Sequence, residues 1–147
     1  MTYITRNLEK VVDQVTREYP VVLVTGPRQV GKTTMLRKLM EGTDRRYVTL
    51  DDLNERHMAK TDPELFLQLH EPPVMIDEVQ YAPELFIYIK MYVDKHQHSG
   101  AFWLTGSQVF KLMRGVQESL AGRVAVLSLT SLSQAEISGG EMEPFTI

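Results

Sequence analysis

A three-layer α/β sandwich, with a mainly parallel five-stranded sheet between layers of helices, is the fold class this sequence predicts. Three observations lead there. Short apolar runs recur at residues 21–25, 46–50, 74–77, 101–105 and 124–128. They are continuous rather than alternating, the pattern of strands buried on both faces. Helical periodicity fills the gaps between them, which calls for parallel strands joined by crossover helices. In such sheets ligands bind beyond the carboxyl ends of the strands, so function is to be sought in the segments that follow each run.

Taken in order, Leu8, Val11, Val12, Val15 and Tyr19 recur at helical spacing between Thr5 and Pro20. They predict an amphipathic helix that stops where proline forces extension. After the first strand a helix is expected over residues 33–41, closed by Gly42 as a left-handed cap. Asp62-Pro63-Glu64 puts an N-cap and a first-turn proline ahead of Leu65, Phe66 and Leu69. Ala82-Pro83-Glu84 repeats that opening ahead of Leu85, Ile89 and Val93, and Ser99-Gly100 turns the chain into the fourth strand. Pro-Glu-Leu-Phe therefore occurs twice. A repeat array needs at least about three units to bury its faces, so this is reused helix-start chemistry. Gly122 is expected to cap a short helix before the fifth strand.

The 147 residues fit one domain, with residues 1–128 as its core and 1–19 as a helix preceding the first strand. The remaining 129–147 form a short tail, in which Ser133 to Glu136 reads as a capping box ahead of Ser138-Gly139-Gly140. Cysteine is absent, which excludes a disulfide scaffold, a Cys-ligated zinc site and a thiol nucleophile. The apolar runs fall far short of the roughly 20 residues a bilayer span needs. The first residues lack a signal-peptide pattern, and the expected location is the cytoplasm. Sixteen basic residues face 19 acidic ones, so no broad basic face for nucleic acid is signalled. The negative excess is C-terminal: residues 1–73 hold 11 of each sign, and 74–147 hold 5 basic and 8 acidic.

Gly26-Pro27-Arg28-Gln29-Val30-Gly31-Lys32-Thr33 is a complete G-x-x-x-x-G-K-T, directly after one apolar run and at the opening of a helical pattern that continues through Thr34. Phosphate oxygens need convergent donors. A loop bent around glycines supplies them from backbone N–H groups, and the helix N-terminus adds its positive dipole end. Lys32 is placed to reach the β and γ phosphates, and Thr33 to offer a hydroxyl to magnesium, a hard cation that seeks oxygen. The run ending in Asp77-Glu78 is read as a Walker B element. Asp77 would hold magnesium through its water shell and Glu78 would orient or deprotonate an attacking water. Kinases acting on small molecules need no such glutamate, so hydrolysis is favoured. The GTPase elements D-x-x-G and N-K-x-D are missing, which favours adenine.

Thr105 and Ser107 close the fourth strand, where a polar group can sense the γ-phosphate. The alternative is a turn with Ser107 as the N-cap of the next helix. Arg123 precedes the fifth strand, either as a cation at a helix end or as an arginine finger reaching a neighbouring subunit's nucleotide. Asp51-Asp52 could approach the metal, although helix capping suits the pair better. His57, His70, His96 and His98 lie in polar surroundings with no ligand set for zinc, and are expected to be solvated. The aromatic and Met residues are spaced as packing rather than as a base-stacking platform.

Taken together, residues 25–33, 74–80, 104–108 and 119–123 resemble the prokaryotic AAA-like P-loop ATPases that carry a C-terminal domain of unknown function. The phrases that carry the resemblance are Gly-Pro-Arg-Gln-Val-Gly-Lys-Thr, Ile-Asp-Glu-Val-Gln-Tyr-Ala-Pro-Glu-Leu, Leu-Thr-Gly-Ser-Gln and Ser-Leu-Ala-Gly-Arg. It implies the additional-strand P-loop core, of AAA and RecA type, with sheet order 5-1-4-3-2. It also implies an arginine finger at Arg123, acting in trans within a homo-oligomer. Members of the family usually continue well beyond this length, so the chain is expected to be a truncated core rather than a natural short form. The functional expectation is magnesium-dependent ATP hydrolysis, coupled to a C-terminal domain or a protein partner. The alternatives are an ATP-binding switch with negligible turnover and a nucleic-acid-associated motor.

Overall fold

The structure, a computed structural model, describes residues 2–27 and 31–128. Arg28, Gln29, Val30 and the tail with its expected capping box lie outside the described residues. Helix α1 (Thr2–Glu18) leads into β1 (Val21–Thr25), followed by α2 (Lys32–Leu39) and β2 (Arg46–Thr49). Helices α3 (Leu53–Thr61) and α4 (Pro63–Leu69) precede β3 (Val74–Asp77). A single 3-10 turn (Val79–Tyr81) then leads to α5 (Leu85–His96) and β4 (Phe102–Gly106). Helix α6 (Val109–Gly115) runs on through a π turn (Val116–Leu120) to β5 (Val124–Ser128).

All five strands are parallel, in the order β2-β3-β4-β1-β5, the order the resemblance implies. Period-two alternation sorts their side chains onto two faces. Val21, Leu23, Val74, Ile76, Phe102, Leu104, Val124 and Val126 pack with residues of α3 to α6. Val22, Val24, Met75, Trp103, Ala125 and Leu127 pack with Val12 and Val15 of α1 and Met35 and Leu36 of α2. The sheet is therefore covered on both faces, which explains the continuous apolar runs. The exception is β2. It resembles the others in sequence, yet Arg46 is exposed and only Val48 is buried, whereas β5 at the other edge of the sheet is buried from Val124 to Leu127.

Several local expectations need correction. Helix α2 ends at Leu39 rather than at residue 41, and Gly42 takes its positive φ in the turn beyond. Helix α3 is unforeseen: only Ala59 is buried along it, so no apolar stripe announces it. Its N-cap fills the helix-capping role expected of the Asp51-Asp52 pair, for Asp52 accepts from the backbone N–H groups of Asn54 and Glu55. The two Pro-Glu-Leu-Phe copies open differently. Asp62 caps α4 through Leu65 N–H with Pro63 in the first turn, whereas Ala82 has no side-chain oxygen, and α5 begins only at Leu85. His70 is not simply solvated, because it hydrogen-bonds Glu55 at 2.8 Å and packs on Phe66. Phe110 and Met91, at 95% and 59% exposure, depart from the packing role expected of aromatic and Met residues.

Candidate functional site

The strand registers bring Thr25, Thr49, Asp77, Gly106 and Ser128 to one edge of the sheet, the carboxyl edge. The chain leaves β1 through Gly26, whose N–H donates to Gly106 O at 3.2 Å, and Gly31 then serves as the N-cap of α2 in the left-handed region with φ 78°. A methyl group at Gly31 would meet no atom within 4 Å, so the need for glycine there is conformational rather than steric. Helix α2 starts at Lys32 and points its N-terminus at the space in front of β1 and β3, with Thr34 on the exposed side.

Asp77 is buried and held by four hydroxyl groups. Its Oδ1 accepts from Thr33 at 2.9 Å and from Thr105 at 2.5 Å, and its Oδ2 accepts from Thr49 at 3.1 Å and Tyr47 at 3.2 Å. Burial first, and then the charge and hydrogen bond of Asp77, push the Tyr47 phenol above its ordinary pKa. Tyr47 and Thr49 belong to β2 and reach Asp77 because that strand lies beside β3 in register.

Glu78 follows in the left-handed region, φ 57° and ψ 50°. For a residue with a Cβ this conformation costs about 1–3 kcal/mol and is typical of functional sites. The backbone there donates to Thr105 Oγ1 at 3.1 Å, so one threonine hydroxyl joins both acidic residues. The Glu78 carboxylate is buried. Its Oε1 accepts from Gln80 Nε2 at 2.8 Å and from Ser107 Oγ at 3.1 Å, and its Oε2 lies 3.9 Å from the Nζ of Lys32, itself 1% exposed. Gln80 Oε1 is buried without a hydrogen-bond partner among the described residues, and an acceptor left so costs about 1–3 kcal/mol. Ser107 does not cap α6: the N-cap is Gln108, without a side-chain bond, and the Ser107 hydroxyl turns to Glu78 instead.

Among the described residues, the side chains of Thr33, Asp77 and Glu78 turn oxygen atoms toward one another here, a donor set that fits a hard divalent cation. Carboxylate oxygens of Asp51, Asp77 and Glu78 lie within 4.8 Å of one another. The Asp51-Asp52 pair has thus divided: Asp52 caps α3, and Asp51 stands at the acidic cluster.

Arg123 is not brought to this group. It stands at the amino end of β5, where its carbonyl accepts from Val21 N–H, on the edge of the sheet opposite the loop. The guanidinium bonds both carboxylate oxygens of Asp94, at 2.6 and 3.0 Å, and the carbonyl of Ala121 at 3.0 Å.

This arrangement has known relatives. Residues 18–138 match the family described as AAA domain. The chain belongs to the AAA domain family. Uncharacterized proteins of Mycobacterium tuberculosis and Mycobacterium bovis are each 37% identical over 119 residues, 80% of this chain and 26% of theirs, so the chain spans about a quarter of these relatives. Among solved structures, the RuvB Holliday junction branch migration motor of Thermotoga maritima aligns over 88% of this chain and 45% of that one. Its TM-score is 0.55 at 17% identity. A DnaC helicase loader aligns over 85% of this chain and 89% of its own, with TM-score 0.52 at 17% identity. These two likenesses show the fold alone. Among the described residues, no helix is long and apolar enough to cross a membrane.

Sequence reasoning missed some of the polar groups at the carboxyl edge. Gln80, Tyr47 and Thr49 carry no motif of their own. Gln80 lies inside the quoted phrase that begins at Ile76, and only the contact with Glu78 reveals its place. Tyr47 and Thr49 alternate on β2, a signal that becomes readable once β2 is set beside β3.

Proposed function

We propose that this chain binds ATP with magnesium at Gly26, Pro27, Arg28, Gln29, Val30, Gly31, Lys32, Thr33 and Thr34 and hydrolyses it to ADP and phosphate. One observation carries the reading: Lys32, Asp77 and Glu78 are buried together at the carboxyl edge, with Glu78 in a strained turn that aims its carboxylate at the lysine side. Lys32 draws the β and γ phosphates by charge. Thr33 and Asp77 are the residues that would hold magnesium, which when bound neutralises charge on the phosphates. Glu78 takes a proton from a water as that water's oxygen attacks the γ-phosphorus, and the bond to the ADP oxygen breaks. Thr105, which joins both acidic residues, and Ser107, bonded to the Glu78 carboxylate, line the same space and are suited to register the γ-phosphate. The test is calorimetry of ATP in magnesium, with phosphate release followed in parallel. The parent binds and turns over, and GTP competes poorly. Equal affinity for GTP would sink only the base preference, whereas absence of magnesium-dependent binding would sink the reading.

The same reading takes residues 1–128 as the ATPase core and 129–147 as the start of a C-terminal region that the ATP state acts on; the mycobacterial relatives, of which this chain spans about a quarter, are long enough to hold such a region. A second reading, a nucleotide-dependent switch with little turnover in the isolated subunit, is favoured by the position of Arg123. Bound to Asp94 at the far edge, Arg123 can serve as a finger only for a neighbouring subunit, after the pair has opened. Fingers contribute about 10³-fold or more, so Arg123→Ala is expected to bind ATP yet lose nearly all turnover. Adding Lys32→Ala subunits, which lend their arginine, restores part of it. No rescue in demonstrably mixed oligomers would return Arg123 to its pair with Asp94.

A further inference from the structure

Gln80 is 2% exposed, and its environment is specific on both sides of the amide. The Nε2 group donates to Glu78 Oε1 at 2.8 Å and lies 3.5 Å from Ser107 Oγ. On the other side, Oε1 has no hydrogen-bond partner among the described residues, although it is buried. Turning the amide over would bring its oxygen against the carboxylate, so the charge of Glu78 fixes the orientation and the orphaned acceptor is its consequence. The space for the amide comes from Gly106: a methyl group there would stand 2.7 Å from Gln80 Oε1 and would collide with Leu112. An apolar side chain of similar length would leave no orphan and lose the bond to Glu78 and the long one to Ser107. A residue kept for stability alone would not be built this way.

We infer that Gln80 is a positioning residue for the reaction, holding the Glu78 carboxylate by one oxygen, together with Ser107, so that the other oxygen faces Lys32 and the reacting water. The inference rests on the hydrolysis reading above. Lys32 and Gln80 grip opposite oxygens of one carboxylate, at 3.9 and 2.8 Å. When a phosphate engages Lys32, that side of the grip is shared, and Gln80 and Ser107 keep the carboxylate from swinging away. Misplacing a reacting group by about 1 Å is enough to lose on the order of 100-fold in rate.

The test is Gln80→Met, which keeps length and removes both amide atoms, with Gln80→Asn as the conservative partner. In Gln80→Met the Tm is equal to or above that of the parent, and the ATP dissociation constant and KM stay within about twofold. Its kcat falls on the order of 10- to 100-fold. Gln80→Asn recovers part of the loss. In a Glu78→Asp background, where the carboxylate no longer reaches the amide, Gln80→Met adds much less than its effect in the parent. Parent-like kcat in Gln80→Met, a loss of ATP affinity with kcat unchanged, or a full multiplicative loss in the Glu78→Asp background would each overturn the inference alone. A parent that turns over no faster than Glu78→Gln would overturn the hydrolysis reading and this inference with it.

Discussion

At the carboxyl edge of the sheet the buried residues turn polar, whereas at the amino edge they stay apolar. Thr25, Lys32, Asp77, Glu78, Gln80 and Thr105 make up the buried polar residues among those described, and every one lies at or just beyond the end of β1, β3 or β4. The same strands begin with Val21, Val74 and Phe102, and β5 with Val124, all fully buried. Burying a polar group without full compensation costs about 1–3 kcal/mol by protein mutational data. A fold that concentrates such groups at one edge, with a left-handed glutamate and an orphaned amide oxygen among them, has given up stability there. The apolar edge is where stability is generated, and the polar edge is where it is spent on a ligand.

Substitutions at the two edges should therefore separate stability from binding. The largest expected effect on binding is that of Lys32→Ala, which removes the charged contact to phosphate. ATP affinity in calorimetry falls at least about 10- to 100-fold, the range of a charge-assisted hydrogen bond, and the fold persists. At the apolar edge, Phe102→Ala leaves a cavity between the sheet and Tyr92 and lowers stability by about 3–5 kcal/mol in denaturant unfolding. The molecules that remain folded should bind ATP as the parent does. Were Phe102→Ala to weaken ATP binding as much as Lys32→Ala, the division between the edges would fail. Asp62→Ala removes the cap of α4, distant from both, and costs about 0.5–2 kcal/mol with no change in affinity.

The smallest effect belongs to the exposed pair of Arg123 and Asp94. The hydrogen bond from Arg123 holds the Asp94 carboxylate below its ordinary value of 3.8. A depressed carboxylate stabilises the fold above its unfolded pKa, and that contribution is lost as pH falls through the folded value. Arg123→Ala should accordingly leave Tm at neutral pH almost unchanged and remove a slight acid-side dependence, because exposed pairs are screened by solvent. A large drop in Tm would show that the arginine is structural.

Much of this architecture was legible because burial on both faces writes continuous apolar runs into β1, β3, β4 and β5. Helix α3 was harder because it buries too little to leave a pattern, Ala59 alone, whereas β2 was read in its place although only Val48 of it is buried. At the site, the loop glycines, Lys32, Thr33, Asp77 and Glu78 stood out because phosphate and metal chemistry ties residue types to fixed spacing. The four hydroxyl groups on Asp77 and the amide on Glu78 come from one helix, two strands and a turn, and contacts between separate elements leave no spacing to read. The repeated Pro-Glu-Leu-Phe shows the limit from the other direction. Identical words open α4 and precede α5, and the residue in front, Asp62 or Ala82, decides whether a side-chain cap forms.

The central claim is that binding and chemistry reside on neighbouring residues of one edge, and Glu78→Gln tests it most directly. The amide keeps the shape of the carboxylate but cannot accept the water's proton. With ATP and magnesium, calorimetry of this variant should give parent-like affinity while phosphate release falls to the background seen without protein. Phosphate release at the parent rate would contradict the account and leave Glu78 as a structural acid of the turn after β3.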